Sequence, residues 1–136
     1  MKKFVFILVL FTASISFSQS HPIDKENRKC LENVTPATIS TVKCEKEALV
    51  SWKKLMETTL LQLKENPKNA SVNLLFDSQT HWVKFQKADL AYYAAFYHKL
   101  YEGGTMTMAA TATHEKRQFR ERALYLLTFL EMLNNE

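Results

Sequence analysis

Glycine and proline are scarce in this chain, which has two glycines and three prolines in 136 residues. Gly103 and Gly104 are adjacent, and Pro22, Pro36 and Pro67 all lie outside the segments with a helical hydrophobic period. A protein built from β-sheets needs many tight turns, and glycine and proline are the residues that form them. The scarcity therefore favours a few helices joined by short breaks.

Sequence signatures of catalysis are also lacking. The chain has no GxSxG, P-loop or dinucleotide-binding glycine pattern. His21, His81, His98 and His114 are too far apart in sequence for two of them to share a helical turn as in HExxH. Asp77 and His81 are four residues apart, but no nucleophile shares their face, so we interpret them as helix-surface residues. We therefore predict a protein that is not an enzyme, with no catalytic residue, no metal and no cofactor.

The first 18 residues have the pattern of a cleavable export signal. Lys2 and Lys3 precede an apolar run over residues 4–11, and Ser16 and Ser18 are small residues before a cut at Gln19. A spanning helix would need about 20 apolar residues, and polar residues already dilute this segment from position 12 onwards. The predicted cut lacks the cysteine of a lipoprotein. We expect a protein of the periplasm or the medium, with no membrane contact after cleavage.

The predicted mature chain, residues 19–136, has the length of one domain. Its formal charge is +2, because the whole chain carries +4 and the signal removes Lys2 and Lys3. No block of like charges remains, which argues against a nucleic-acid partner. Cys30 and Cys44 are the only cysteines, and an even count in an exported chain predicts one disulfide. A metal site or a redox pair is not favoured, because the two cysteines do not have the spacing of a CxxC motif.

Hydrophobic spacing predicts three helices, over residues 41–65, 70–102 and 113–134, with a loop at 105–108. The first helix has an apolar stripe with steps of three and four residues, formed by Leu49, Trp52, Met56, Leu60 and Leu63. Residues 22–43 are polar and contain the first cysteine, and we expect them to be mostly irregular, with one or two helical turns at most. The predicted fold is all-α, a small antiparallel bundle of about three main helices with a disulfide-stapled N-terminal arm.

The middle helix carries an unusual number of aromatic residues. Gln79 and Trp82 fall on its inner row, and a buried glutamine amide needs hydrogen-bond partners, so we expect Gln79 to cap or bridge a neighbouring loop. Spacing also places Tyr93, Tyr97 and Leu100 on the inner row. Tyr92 and Phe96 lie away from that row and are the better candidates for exposed, partner-binding residues.

Several weak motifs occur in a fixed order. They are Cys30, the threonine-containing stretch 35–39, Cys44, the Gln79-x-x-Trp82 pair, Gly103-Gly104, and Arg122 in an arginine-rich last helix. Together they resemble the exported helical domain of the LprI-type lysozyme inhibitors (DUF1311). The chain departs from that pattern by lacking a second pair of cysteines, expected near Leu90 and within 109–112.

This resemblance implies a non-catalytic protein that binds a lysozyme-type muramidase or another envelope protein. A muramidase cleft holds two carboxylates, and Lys99, the Gly103-Gly104 backbone and the hydroxyls of Thr105 and Thr107 are candidate donors to them. The alternative is an envelope interaction module that binds a peptide, a glycan or a protein through the aromatic helix face.

Overall fold

The structure is a computed structural model, and it describes residues 20–35 and 37–135. The predicted signal peptide lies outside these residues. The described part of the chain is helical and contains no strand, which confirms the all-α prediction. Residues 20–35 and 37–135 form four helices rather than about three: α1 (Pro22–Asn33), α2 (Thr38–Glu65), α3 (Val72–Leu100) and α4 (Gly104–Asn135).

Helix α1 lies where the sequence predicted an irregular arm, so that prediction is wrong. Pro22 occupies the start of the helix, where its missing N–H costs nothing and its fixed φ suits the first turn. His21 caps the helix, because its Nδ1 accepts a hydrogen bond from the backbone N–H of Ile23 at 3.2 Å. Asp24 lies in the first turn, where a negative charge is favoured. These local signals favour the start of a helix at Pro22, but the helix has few apolar residues of its own.

Helix α4 begins at Gly104, so the loop predicted at residues 105–108 is also wrong. The chain from Thr105 to Ala112 contains no proline or further glycine, and methionine and alanine are good helix formers. The glycine pair therefore marks a short turn, after which the helix resumes at once. The start of α2 also moves, from the predicted residue 41 to Thr38.

The core lies mainly between α2 and α4. Trp52 and Leu63 on α2 are buried against Ala123 and Leu126 on α4. These two helices run parallel, as shown by contacts from Glu45 to Lys116 near one end and from Asn66 to Asn134 at the other. Helix α3 runs antiparallel to α4 and packs mainly against it, and Gln86 is the one fully buried residue of α3. Helix α4 therefore contacts all three other helices.

The predicted disulfide between Cys30 and Cys44 is confirmed, with 5.8 Å between the two Cα atoms. It joins α1 to the N-terminal part of α2. Three polar contacts also hold α1, one of them to α2 and two to α4. Asp24 forms an ion pair with Arg120 at 2.7 Å, and Asn27 donates to the Cys44 carbonyl and accepts from Lys116. The hydrogen bond to Asp24 raises the pKa of Arg120.

The turn between α3 and α4 is tight. Glu102, Gly103 and Gly104 all have positive φ, at 52°, 79° and 79°. The N–H of Gly103 donates to the His98 carbonyl at 2.8 Å and that of Tyr101 to the Tyr97 carbonyl at 2.9 Å, which gives two of the last four carbonyls of α3 a partner. Two successive glycines suit this conformation, because L-residues with a Cβ rarely adopt it.

Gly103→Ala is expected to lower the free energy of unfolding by about 1–2 kcal/mol, the cost of left-handed backbone for an L-residue. The new Cβ would also lie 3.2 Å from the His98 Nε2. Urea unfolding followed by circular dichroism measures this loss. Gly103→Asn is the matched control and should lose less, because asparagine tolerates this region better. An alanine variant as stable as the parent would contradict the described turn.

Within residues 20–35 and 37–135, no helix is long and apolar enough to cross a membrane.

Candidate functional site

Three residues that the sequence analysis assigned to the family motif, Gln79, Trp82 and Arg122, meet between α3 and α4. The Arg122 Nε donates to the Gln79 Oε1 at 2.9 Å, and another guanidinium nitrogen donates to the Ser78 hydroxyl at 3.1 Å. The guanidinium also lies over the Trp82 ring, 5.6 Å from its centroid. Burial lowers the pKa of Arg122. These side chains hold α3 against α4 and leave little of the guanidinium for a partner.

The expected hydrogen bonds of Gln79 are present, but their partners are not in a loop. Besides Arg122 on α4, Gln79 contacts the sulfur of Met56 on α2, with its Nε2 at 3.6 Å. Gln79 thus links α3 to both neighbouring helices. The expectation failed because Arg122, 43 residues further along the chain, brings a buried donor to the same level of the bundle.

A second polar cluster lies closer to the turn. The Asp89 carboxylate is 2.7 Å from the His114 Nε2 and accepts from the Gln118 amide at 2.7 Å. Gln118 in turn accepts from Gln86 at 3.2 Å. Arg117 donates to the His114 Nδ1 at 2.9 Å, so the His114 proton is assigned to Nε2, facing Asp89. The cluster is a chain of satisfied donors and acceptors between two helices.

Tyr93 covers this cluster. Its ring stacks on His114 with 3.8 Å between centroids and 7° between planes. Burial, followed by the hydrogen bond with Tyr97, raises the pKa of Tyr93. Asp89 and His114 lie close to the positions, near Leu90 and within 109–112, where the resemblance implies a second pair of cysteines. Hydrogen bonds and stacking therefore join α3 to α4 where other members are expected to have a covalent bond.

The sequence analysis did not predict this cluster, although a signal was present. His114, Gln118 and Arg122 follow one another at intervals of four residues, which places three polar side chains on one face of α4. Gln86 and Asp89 lie on the facing side of α3. Neither row of polar residues is informative alone, and only the packing of α3 against α4 shows that the donors of one row meet the acceptors of the other.

Tyr92 and Phe96 are exposed, as the helical spacing predicted, and their ring centroids are 6.4 Å apart. Tyr93 and Tyr97 are half-buried and in contact, which agrees with their predicted inward positions. Leu100 was predicted to point inward, but its side chain is exposed. It lies in the last turn of α3, beyond the part of the helix that α4 covers.

The remaining candidate residues lie around the turn. Lys99 and Thr105 are exposed, on either side of it. Thr107 is half-buried, and its hydroxyl lies 3.3 Å from both the Tyr97 and the Gly103 carbonyls, so it is already used within the hairpin. We call the exposed group Lys99, Leu100, Tyr101, Thr105 and Met106 the turn surface.

Two apolar depressions flank the α3–α4 hairpin. One of about 500 Å³ lies beside the turn, between α2 and α4, and its lining includes Val42, His98 and Met108. The other, of about 460 Å³, lies at the opposite end of the hairpin, with Leu74 on one side and Tyr125, Phe129 and Met132 on the other. In the part of the chain that the structure describes, no group of three or more His, Cys, Asp or Glu residues could hold a metal ion.

A comparison with protein families decides the relationship. The model of the family described as lysozyme inhibitor LprI matches residues 30–126. The chain belongs to the LprI family. The match runs from Cys30 to Leu126, the last buried residue of α4, so it includes the disulfide, the predicted motif residues and the turn. No curated protein and no solved structure matches the chain significantly.

Proposed function

We propose that this chain is an exported, non-catalytic protein that inhibits a lysozyme-type muramidase. The observation that carries the proposal is the LprI family match, which covers most of the chain. The export signal predicted in residues 1–18 is consistent with it, because muramidases act outside the cytoplasm. The mature protein would then be residues 19–136, in the periplasm or the medium.

The turn surface is the part of the molecule best suited to enter a muramidase cleft. Such a cleft contains two carboxylates, so the inhibitor needs positive charge and hydrogen-bond donors. Lys99 provides an exposed ammonium group beside the turn. The first N–H groups of α4 also begin here, at the positive end of a 32-residue helix dipole. Leu100, Tyr101 and Met106 surround these donors with exposed apolar surface.

Lys99→Glu should weaken inhibition about tenfold or more, because it places a carboxylate opposite the two carboxylates of the enzyme. The measurement is the inhibition constant of purified residues 19–136 against several lysozyme types, in a cell-wall lysis assay. Lys84→Glu is the matched control, since it makes the same charge change on an exposed position of α3 away from the turn.

Failure of the parent protein to inhibit any tested lysozyme at about 100 µM, a concentration that would reveal even weak binding, would remove this proposal. Equal losses from Lys99→Glu and Lys84→Glu would leave inhibition standing but exclude the turn surface as its site.

The exposure of Tyr92 and Phe96 favours a second candidate function. Exposed aromatic residues contribute strongly to binding interfaces, and these two lie on a flank of α3 that α4 does not cover. In this alternative the protein is an interaction module of the envelope, and its aromatic face, rather than the turn surface, contacts a macromolecule.

A further inference from the structure

One flank of α3 is apolar and uncovered along most of its length. Leu74, Phe85, Tyr92 and Phe96 are exposed to 70%, 62%, 71% and 52%. Each helical residue turns the chain by about 100°, so these four side chains fall within about 40° of one another. Ser78 lies on the same flank. We call these five residues the α3 stripe.

We propose that a second copy of this chain binds the α3 stripe, giving a two-fold dimer in which the two α3 helices pack antiparallel. This goes beyond the inhibitory function and does not depend on it. The stripe is symmetric about Phe85: Leu74 and Phe96 are each 11 residues from it, and Ser78 and Tyr92 are each seven residues from it. A two-fold axis brings the same patch of both copies together, so a two-fold dimer requires a patch that is complementary to itself.

The symmetric pairing also places one large side chain of each copy over a small one. With the axis at Phe85, the Tyr92 ring of each copy lies opposite the small Ser78 of the other, and Leu74 lies opposite Phe96. The two Phe85 rings meet at the axis. Large side chains over small ones allow two helices to interdigitate, as in other helix pairs.

The groove at the start of α3 fits the same arrangement. It lies beside Leu74, between α3 and α4, and its lining includes Tyr125, Phe129 and Met132. In the dimer, Phe96 of the second copy is level with Leu74 of the first, and Leu100 of the second copy is level with residue 70 of the first. Both side chains lie on the side of the second copy's α3 that is nearer to that copy's α4. They therefore lie over this groove. The axis generates the same contact a second time, at the opposite end of the dimer.

Charges on α4 are complementary in this arrangement. The Gln86–Gln118 hydrogen bond shows that position 118 of α4 is level with position 86 of α3. An axis at Phe85 therefore passes near position 119, midway between Arg117 and Glu121. Both are exposed, and Glu121 forms no ion pair among the described residues. The axis places Arg117 of each copy opposite Glu121 of the other.

The available apolar area is sufficient. Besides the four apolar residues of the stripe, Tyr125, Phe129 and Met132 are exposed to 53%, 42% and 58%. Taking about 200 Å² for a large side chain, these seven expose on the order of 800 Å², which is what a standard interface buries on each partner. A patch of this size is above the range usual for monomers.

Phe85→Lys tests the dimer, since it places two positive charges together at the axis. By sedimentation equilibrium, the mature protein should be mainly dimeric at about 100 µM, and the variant should dissociate at least 100-fold more readily. Phe76→Lys is the matched control. Phe76 is an exposed phenylalanine of the same helix, nine residues away and so about 180° round it, and this variant should dimerise within threefold of the parent.

Circular dichroism of each variant verifies that its helices are intact. A mature protein that stays monomeric at about 100 µM would overturn the proposal. A monomer whose α3 stripe binds some other ligand would overturn it too. A dimer that Phe85→Lys leaves unchanged would overturn it as well.

Charge reversal tests the antiparallel register. Arg117→Glu and Glu121→Arg should each weaken the dimer about tenfold, because each creates two like-charge contacts across the axis. The double variant restores opposite charges and should return to within threefold of the parent. A double variant as weak as the two single changes combined would exclude this register. Neither measurement uses a muramidase, so failure of the dimer and failure of inhibition are separate results.

Discussion

Lys116→Met is expected to lower the free energy of unfolding by about 3–5 kcal/mol, the usual effect of removing one partner of a buried ion pair. The Lys116 ammonium lies 2.6 Å from the Glu45 carboxylate, and the two side chains are 15% and 4% exposed. Lys116 also donates to the Asn27 Oδ1 at 2.8 Å. Without Lys116, Glu45 is left charged and unpaired in the interior. Urea unfolding of the parent and the variant measures the loss.

The control is the double variant Glu45→Gln with Lys116→Met. It removes both charges, so it should be more stable than Lys116→Met alone although it contains one more substitution. A single variant that loses less than about 1 kcal/mol, the value for an exposed pair, would contradict the burial described for Glu45.

Removal of the disulfide, by the double change Cys30→Ala and Cys44→Ala, should cost about 3 kcal/mol. The two cysteines are 14 residues apart, and the estimate is the chain entropy that a loop of this length adds to the unfolded state. In a domain of this size the loss corresponds to roughly 10 °C in Tm. Thermal unfolding followed by circular dichroism gives the value.

The same melt of the parent protein with a reductant should match that of the alanine variant. Helix content at low temperature should remain near the parent value, because Asp24 and Asn27 still attach α1 to the bundle. Equal Tm values with and without reductant, in protein whose thiols are shown by mass spectrometry to be free, would contradict a stabilising role.

Some of these features could be predicted from the sequence. The disulfide follows from two cysteines in a chain whose first residues predict export, and α2 and α3 follow from long apolar periods without breakers. The exposure of Tyr92 and Phe96 follows from helical geometry alone. Helix formation and side-chain direction are local properties, and the disulfide depends on the number of cysteines, so all of them can be read from the sequence.

Other features depend on contacts between distant residues. In the sequence, Glu45 is an ordinary charged residue early in a helix, and nothing indicates that it is buried. Its burial depends on the ion pair with Lys116, 71 residues further along the chain. Gln79 needed a partner, but the sequence could not show that this partner is Arg122. Helix α1 was missed because its stability comes from Asp24, Asn27 and Cys30 reaching other helices, whereas its own apolar content is low.

The position of α4 at the end of the chain has a consequence for how the protein comes to exist. Ala123 and Leu126 complete the core around Trp52 and Leu63, so α1, α2 and α3 bury much less surface without α4. During synthesis, α1, α2 and α3 therefore stay incompletely packed until the last thirty or so residues, which form α4, have been made. The export predicted from residues 1–18 would pass this incompletely packed chain through a translocation pore, and the core would form only after α4 had followed.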